Sequence, residues 1–386
     1  SVHLPISKET QEETKKLMAS HLGLLKPADG KAIMTSSQDI TLGCFWLTHD
    51  KYKKEPEKYF ANKNEVLLAL ENKYIDLWTN IFVKINDVLE NTTPGRVIFN
   101  NILPADFPFQ NKAFEKKNCK TLINTLIDKY GFEKSSELLD ELKNVGFNYA
   151  TKSGISLSLS DFLEPEEKDV LVNENIKFNE KVIEQYEEGL LSKEEKVSKI
   201  SEETIATVQK IEQLLESDAL PNNSLMTLVK SGARGSYGQL NQMVGVKGIV
   251  AKTTGEKVEL PIFSNYKNGF NVSEYFNAIH GARKGLVDTA LKTAESGYLT
   301  RKLVDVSQDV IIKMKDCKDK DGIEIKRHTN RDLTQDFNDK IAGRYLAKNI
   351  KINNKILFKK DTLITKDIAQ QINANKEIES VRVFSP

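Results

Sequence analysis

The sequence predicts a predominantly helical α+β chain of several domains, with an antiparallel helical hairpin and one long helix as its main elements. Three observations carry this. Val272 to Gln308 contains no proline, and Asn271 followed three residues later by Glu274 has the form of a capping box. Two acidic segments, reaching Glu188 and Ser217, repeat apolar residues at steps of three and four. Short strand-like runs stand among Pro, Gly and Asn turn signals in both end regions. At 386 residues the chain has room for two or three domains with ample core.

Taken in order, SVHLPIS is an apolar, strand-like opening, and Ser7 is placed to cap a helix running through Met18 and Ala19. A turn is expected at Pro27 to Gly30. TSSQDITLGCFWLT fills 35–48, an amphipathic helix is expected over Val66 to Ile85, and TPGRVIFNNILP at 93–104 has the form of a turn and a strand. Residues 1–150 form a mixed α/β region on this reading.

Pro165 precedes an acidic helical stretch that reaches Glu188 and breaks at Gly189; a second runs from Lys193 to Ser217. Val172, Ile176, Ile183 and Tyr186 mark the apolar side of the first. Val197, Ile200, Thr204, Val208, Ile211 and Leu215 mark the second. One short turn between two heptad-like helices predicts an antiparallel pair.

SGARGSYG at 231–238 opens a glycine-rich, basic segment. Between Lys230 and Val304 lie ten of the twenty glycines, with eleven Lys/Arg against five Asp/Glu; Leu163 to Ser217 has seven against fifteen. The net charge of +1 therefore hides a segregation of opposite charges. Glycine is wanted where backbone turns tightly or approaches a ligand, so contact is expected in the basic segment. It carries neither the G-K-[ST] of a Walker loop nor a dinucleotide fingerprint.

The long helix, on the order of 50 Å at 1.5 Å per residue, is unusual for a packing element. Positions 282, 285, 289, 290, 293, 294 and 297 are Ala, Gly, Thr, Ala, Thr, Ala and Gly, and their spacing makes one smooth stripe. Interior Gly281, Gly285 and Gly297 each cost about 1 kcal/mol against alanine, so they serve close approach or bending. Arg283, Lys284, Lys292, Arg301 and Lys302 border the stripe. A small, hydroxyl-bearing face edged with positive charge fits a nucleic-acid backbone or base pair. A coiled-coil seam would want branched apolar residues instead. Beyond it, Ile352 to Phe358, Lys366 to Asn373 and Val381 to Phe384 predict a small strand, helix and strand unit.

Other chemistry is not written in the sequence. The three cysteines, Cys44, Cys119 and Cys317, form no C-x-x-C pair, the five histidines are scattered, and there is no H-E-x-x-H or G-x-S-x-G. Asp319 and Asp321 before Gly322 imitate a calcium loop, but its first and twelfth positions would be Cys317 and His328, poor ligands for a hard cation. No run approaches the ~18 apolar residues of a membrane span, and a reducing, intracellular setting is expected. The chain starts on Ser1 and ends on a strand-like VRVFSP, so both ends are expected to be cut from something longer.

The run HGARKGLVDTALKTAESGYLTRKLVD, His280 to Asp305, resembles nearly residue for residue the bridge helix of the β′ subunit of bacterial-type multisubunit RNA polymerase. VHLPIS, SQD with LG just after it, GRVIFN with ILP, SGARGS, G-V-K-G and PIFSNYKNGFNVSEYF resemble β′ segments in the same order. The resemblance covers essentially the whole chain and is weakest in the acidic hairpin.

It implies a portion of a polymerase large subunit divided as 1–150, a pore-region α/β domain; 151–265, a funnel domain with the rim hairpin and glycine-rich loop; 266–312, the bridge helix; and 313–386, a small α/β unit leading to a zinc site. The implied activity is DNA-directed RNA synthesis, with template DNA and incoming nucleotide positioned by this piece. Thr289, Ala290, Lys292, Thr293, Ala294, Gly297, Tyr298 and Arg301 would meet the template and active site, and Arg234 the nucleotide phosphates. Gly297 would let the helix bend. No catalytic residue is implied in this chain: the NADFDGD motif that holds Mg²⁺ would sit before SVHLPIS, and the trigger loop beyond Pro386. Cys317 would be one of four zinc ligands, the other three lying outside the chain. Implied partners are the β and α subunits, the remaining β′ segments, template DNA, nascent RNA, nucleoside triphosphates, sigma and secondary-channel factors, with no membrane, in the cytoplasm or a plastid-type stroma. The sequence departs from the family at Asn241 and Lys247, where arginine is usual, which removes one basic contact and weakens another. The alternative from a different class is a non-catalytic scaffold that binds partner proteins through its acidic hairpin.

Overall fold

The computed structural model describes residues 2–26, 30–52, 55, 56, 58–85, 87–217, 223–311, 313, 314, 319, 321–327, 336–352 and 355–384. Two compact units are present, Ser1–Thr293 and Ala294–Pro386. Among the described residues helices predominate, as the sequence predicts, beside three small sheets.

In the first unit, Ser7 caps α1 (Lys8–Glu13), its hydroxyl accepting from Thr10 N at 3.2 Å. A π-helical turn over Thr14–Met18 continues it. The opening run is not a strand: Val2, Leu4 and Ile6 are extended and exposed, and among the described residues no neighbouring strand takes up their backbone groups. Residues 27–29 of the expected turn lie outside the described residues; on its flanks Leu25 bridges Ala32.

Helix α2 (Gln38–Thr48) is buried from Thr41 onward except at half-buried Trp46. A three-stranded sheet follows, β1 (Lys58–Phe60) parallel to β2 (Ile81–Ile85) and β2 antiparallel to β3 (Val88–Thr92), with α3 (Lys63–Glu71) between the first two strands. The helix expected over 66–85 is therefore corrected. It stops at Glu71, Lys73 takes a φ of +59°, and Asp76 to Thr79 turn on a Thr79 N–H to Asp76 carbonyl bond. IFVKI then alternates buried and less buried residues at period two, and its branched side chains suit a strand. The turn and strand expected at 93–104 are corrected too. Thr93 caps α4 (Pro94–Asn100), and Pro94 is the first-turn proline of a helix. Arg96 on α4 is buried and donates to the Thr48 carbonyl at 3.0 Å, Asn111 Oδ1 at 3.1 Å and Asp50 Oδ1 at 2.7 Å, so its charge is fully employed in tying α2 to α4.

Helix α5 (Lys116–Ser153) bends at Gly131, whose φ is +74°, into two arms. Cys44 and Leu47 of α2 join Cys119, Leu122, Ile123, Leu126, Ile127 and Leu142 of α5 in the largest core. The helices touch backbone to backbone where Gly43 meets Gly146; a β-carbon on Gly43 would overlap the Gly146 carbonyl, and one on Gly146 would lie 2.8 Å from Ile40 Cα.

The predicted hairpin is α6 (Lys168–Glu187) and α7 (Lys193–Ser217), turned at Gly189 with a φ of +77°. On α7, Ile200, Thr204, Ile211 and Leu215 are buried as expected. The seam of α6 is different. Lys168, Asn175, Asn179 and Val182 face inward, whereas Val172, Ile176 and Ile183 are half-buried and Tyr186 is exposed. Asn175 Nδ2 donates to Thr207 Oγ1 at 2.8 Å, and Asn179 Nδ2 to Asn175 Oδ1 at 2.9 Å, so paired amides replace the apolar seam. Ile211 and Leu215 continue into a core with Met226 of α8 (Ser224–Ser231) and Leu240 and Val244 of α9 (Tyr237–Val244).

Helix α10 (Val272–Ser307) is the expected long helix. The second unit then holds β4 (Ile323–Lys326), α11 (Phe337–Ile341), β5 (Tyr345–Leu346), β6 (Ile350–Ile352), β7 (Lys355–Phe358), α12 (Lys366–Ala374) and β8 (Ser380–Phe384). The predicted helix and last strand are present, but the first strand is a β6–β7 hairpin, and β8 is flanked by β4 and β5 in a sheet the sequence reading missed. The Arg327 guanidinium caps the end of α12, donating to the carbonyls of Asn373 and Asn375, each at 3.0 Å.

Candidate nucleic-acid interface

The start of α10 is fixed by the capping box that the sequence predicts. Asn271 Oδ1 accepts from Glu274 N at 2.8 Å, and Glu274 Oε2 accepts from Asn271 N at 3.3 Å. The same carboxylate does more than the sequence motif says. It also accepts from Phe263 N at 3.1 Å, Ser264 N at 3.2 Å and Ser264 Oγ at 2.7 Å, so the helix begins anchored to the loop before it. Phe270 and Ala278 pack against Val250, Val258 and Ile262.

The three glycines of the helix divide by what surrounds them. A β-carbon on Gly281 would lie 2.7 Å from Val250 Cγ1, so this glycine permits the loop's close approach. Gly285 and Gly297 have nothing within 4 Å. Beyond the anchored turns the helix leaves its cover, and none of its residues is buried.

Thr289, Ala290, Lys292, Thr293, Ala294, Gly297, Tyr298 and Arg301 are all exposed along this one helix. Thr289 and Thr293 donate their hydroxyl protons to the carbonyls four residues back, at 2.8 and 2.7 Å. Their outward lone pairs then accept, and the stripe presents methyl groups and acceptors where the sequence alone left hydroxyl direction open. Lys284 and Lys292 share Asp288 at 3.5 and 3.4 Å, and Arg301 lies 3.8 Å from Asp305. Such solvent-facing pairs are screened and weak, so a phosphate can displace the carboxylates. Lys302 Nζ sits 4.0 Å from the centre of the Tyr298 ring and covers one of its faces.

Arg234 stands apart from the helix in sequence, on the turn after α8 that Gly232 and Gly235 make with φ of +73° and +80°. It is exposed, and no carboxylate pairs with it among the described residues. Asn241 and Lys247 lie elsewhere than in open solvent. Asn241 is buried, donating to the Val208 carbonyl at 2.9 Å and accepting from Val246 N at 3.2 Å, which fastens α9 to α7. Lys247 donates to Gln242 Oε1 at 2.6 Å and lies over the Tyr266 ring. Cys317 lies outside the described residues. Among the described residues no group of three or more His, Cys, Asp or Glu could hold a metal ion, and no helix is long and apolar enough to cross a membrane.

Comparison with known proteins covers nearly all of the chain. The family model for RNA polymerase Rpb1, domain 3, matches residues 23–162, domain 4 matches 173–272, and domain 5 matches 269–379. The DNA-directed RNA polymerase subunit beta′ of Aliarcobacter butzleri is 41% identical over 100% of the chain and 26% of that protein. That of Caldicellulosiruptor saccharolyticus is 39% identical over 96% of the chain and 34% of its own length. That of Nitratiruptor sp. is 40% identical over 100% of the chain and 26% of its own length. The chain thus spans about a quarter to a third of the length of these relatives.

Proposed function

The chain belongs to the RNA polymerase β′ family, and from that premise we propose that it works as part of a DNA-directed RNA polymerase that positions template and incoming nucleotide. The observation that carries this is α10, which among the described residues is anchored at its start and then runs exposed with a small-residue stripe and displaceable cations along it. A helix of this kind has no packing reason to carry Thr-Ala-x-x-Thr-Ala, whereas a base pair lying against it does. The same features, with the family match, favour the polymerase over the scaffold alternative.

In this reading Thr289, Ala290, Thr293 and Ala294 lie against the templating base pair, Lys292, Tyr298 and Arg301 beside the template strand, and Gly297 gives the helix a place to bend. Arg234 contacts nucleotide phosphates. The contribution is orientation: holding the reacting groups in line converts binding energy into rate without a catalytic side chain in this chain. The described residues do not fit a Mg²⁺ or a zinc site. We assign the Mg²⁺ ligands to other parts of the enzyme and Cys317 to a zinc site shared with cysteines elsewhere. The partners in this reading are the β and α subunits, the rest of β′, DNA, RNA and nucleotides, with sigma and secondary-channel factors, in a cytoplasm or plastid-type stroma.

The experiment is reconstitution. With Mg²⁺, a primed template and nucleotides, the isolated chain is expected to make no RNA, and the polymerase assembled with this chain to extend the primer. Extension by the chain alone, or none by an assembly whose other components work with a relative's β′, overturns the proposal.

A further inference from the structure

The turn that leads into α10 carries the one Asn-Gly pair of the chain, Asn268–Gly269. Buried Asn265 holds this turn. Its Nδ2 donates to the Val244 carbonyl at 2.8 Å, its Oδ1 accepts from Asn268 N at 2.8 Å, and its carbonyl accepts from Gly269 N at 3.1 Å. Asn268 and Gly269 themselves are exposed, and Gly269 has a φ of +84° with nothing within 4 Å of where a β-carbon would stand. An asparagine side-chain amide can be attacked by the backbone nitrogen of the next residue, and a glycine there leaves the approach unhindered. Asn268 Nδ2 also donates to Glu164 Oε2 at 3.2 Å, on a carboxylate shared with Lys168 at 2.7 Å and Lys267 at 3.5 Å. Through Glu164 the segment that opens the hairpin is tied to the turn before α10.

We propose that Asn268 is a site of spontaneous deamidation, a modification that cuts the tie between Glu164 and the turn before α10. Solvent hydroxide removes the Gly269 amide proton, and the nitrogen attacks Asn268 Cγ. The new N–C bond forms, the Cγ–Nδ2 bond breaks, and Nδ2 leaves as ammonia with a proton taken from water, which restores the hydroxide. Water then opens the cyclic imide at either of its carbonyl carbons; addition at Cγ gives aspartate, and addition at the main-chain carbon gives isoaspartate. The net exchange is amide plus water for acid plus ammonia, with no change of oxidation state. The product sets a carboxylate where a donor faced Glu164, and like charges so placed repel. Isoaspartate also adds a carbon to the backbone between Asn265 and Gly269, so the bond between those two residues cannot keep its geometry. The fold sets the pace: Gly269 N must leave the Asn265 carbonyl before it can attack, and the reaction waits on local opening of the turn.

The test incubates the full chain at mildly alkaline pH, folded and in guanidinium chloride, and maps its peptides over time. Asn268 is expected to become a mixture of aspartate and isoaspartate before any other asparagine of the chain converts, and isoaspartyl methyltransferase should label that peptide. Conversion in the folded chain should be at least ~10-fold slower than in denaturant, the retardation given by an opening that costs about 1.4 kcal/mol. The Asn268→Gln chain, whose longer side chain disfavours ring closure, should give no labelled peptide there. In the Asn268→Asp chain the Gly269 amide should exchange its hydrogen faster than in the parent. Asn268 remaining an amide while other asparagines convert overturns the proposal. Equal rates in the folded and unfolded chains overturn the brake at Asn265, and unchanged exchange at Gly269 overturns the loss of the tie. Should a variant fail to fold, the peptide map of the parent chain decides alone.

Discussion

An assembled polymerase carrying Ala294→Trp will extend a primed template at least ~100-fold more slowly than the parent, because misplacing the reacting groups by about 1 Å costs that much. Ala294 is exposed on a helix with no buried residue, so nothing among the described residues resists an indole there. Surface changes of this kind move stability by within about 0.5 kcal/mol, and the variant will fold and assemble like the parent. Loss of activity with folding retained would therefore mean that something outside the chain packs against the stripe. Single-turnover extension rates, with circular dichroism of the purified chain, measure both halves. A variant elongating within about twofold of the parent removes the stripe from the mechanism.

Gly43→Val will destabilise the first unit. The substitution drives a β-carbon into the Gly146 carbonyl, and neither partner can yield without separating α2 from α5. Overpacking commonly costs about 1–3 kcal/mol where side chains can adjust; here backbone meets backbone, so about 3 kcal/mol or more is expected. That corresponds to a fall of roughly 5 °C or more in the thermal midpoint of a unit this size. Gly285→Val is the comparison, since Gly285 has open space around it and valine is at least as good a helix former. Thermal melts should separate the two substitutions clearly. Equal midpoints would show that the α2–α5 contact is not as close as described.

The contrast between those two glycines shows how far the sequence could be read. Both stand in helical runs, and their letters say nothing about what they face; only the fold distinguishes Gly43 and Gly281, which are packed, from Gly285 and Gly297, which are open. The long helix and the hairpin were legible because each is specified locally, by a capping box, an unbroken run or a periodic stripe. The region from Val66 to Asn100 was not. There Pro94 can open a helix or a turn, and IFVKI reads as a helix end or a buried strand until its neighbours β1 and β3 are in place. The α6 seam failed for a related reason, since Asn175 and Asn179 have inward-facing roles only when Thr207 is opposite. For the candidate interface, the small-residue stripe on one long helix could be read from the sequence, but hydroxyl direction and the Asp288 pairing with two lysines needed coordinates.

Tyr298 offers the most direct test of the central claim, because its exposed ring can be replaced by p-azidophenylalanine at nearly the same size. In an assembled polymerase stalled on a labelled template, illumination should attach this position to the template strand at or next to the base that pairs with the incoming nucleotide. Attachment only to protein, or to template far from that base, would contradict the assignment of this helix to the template.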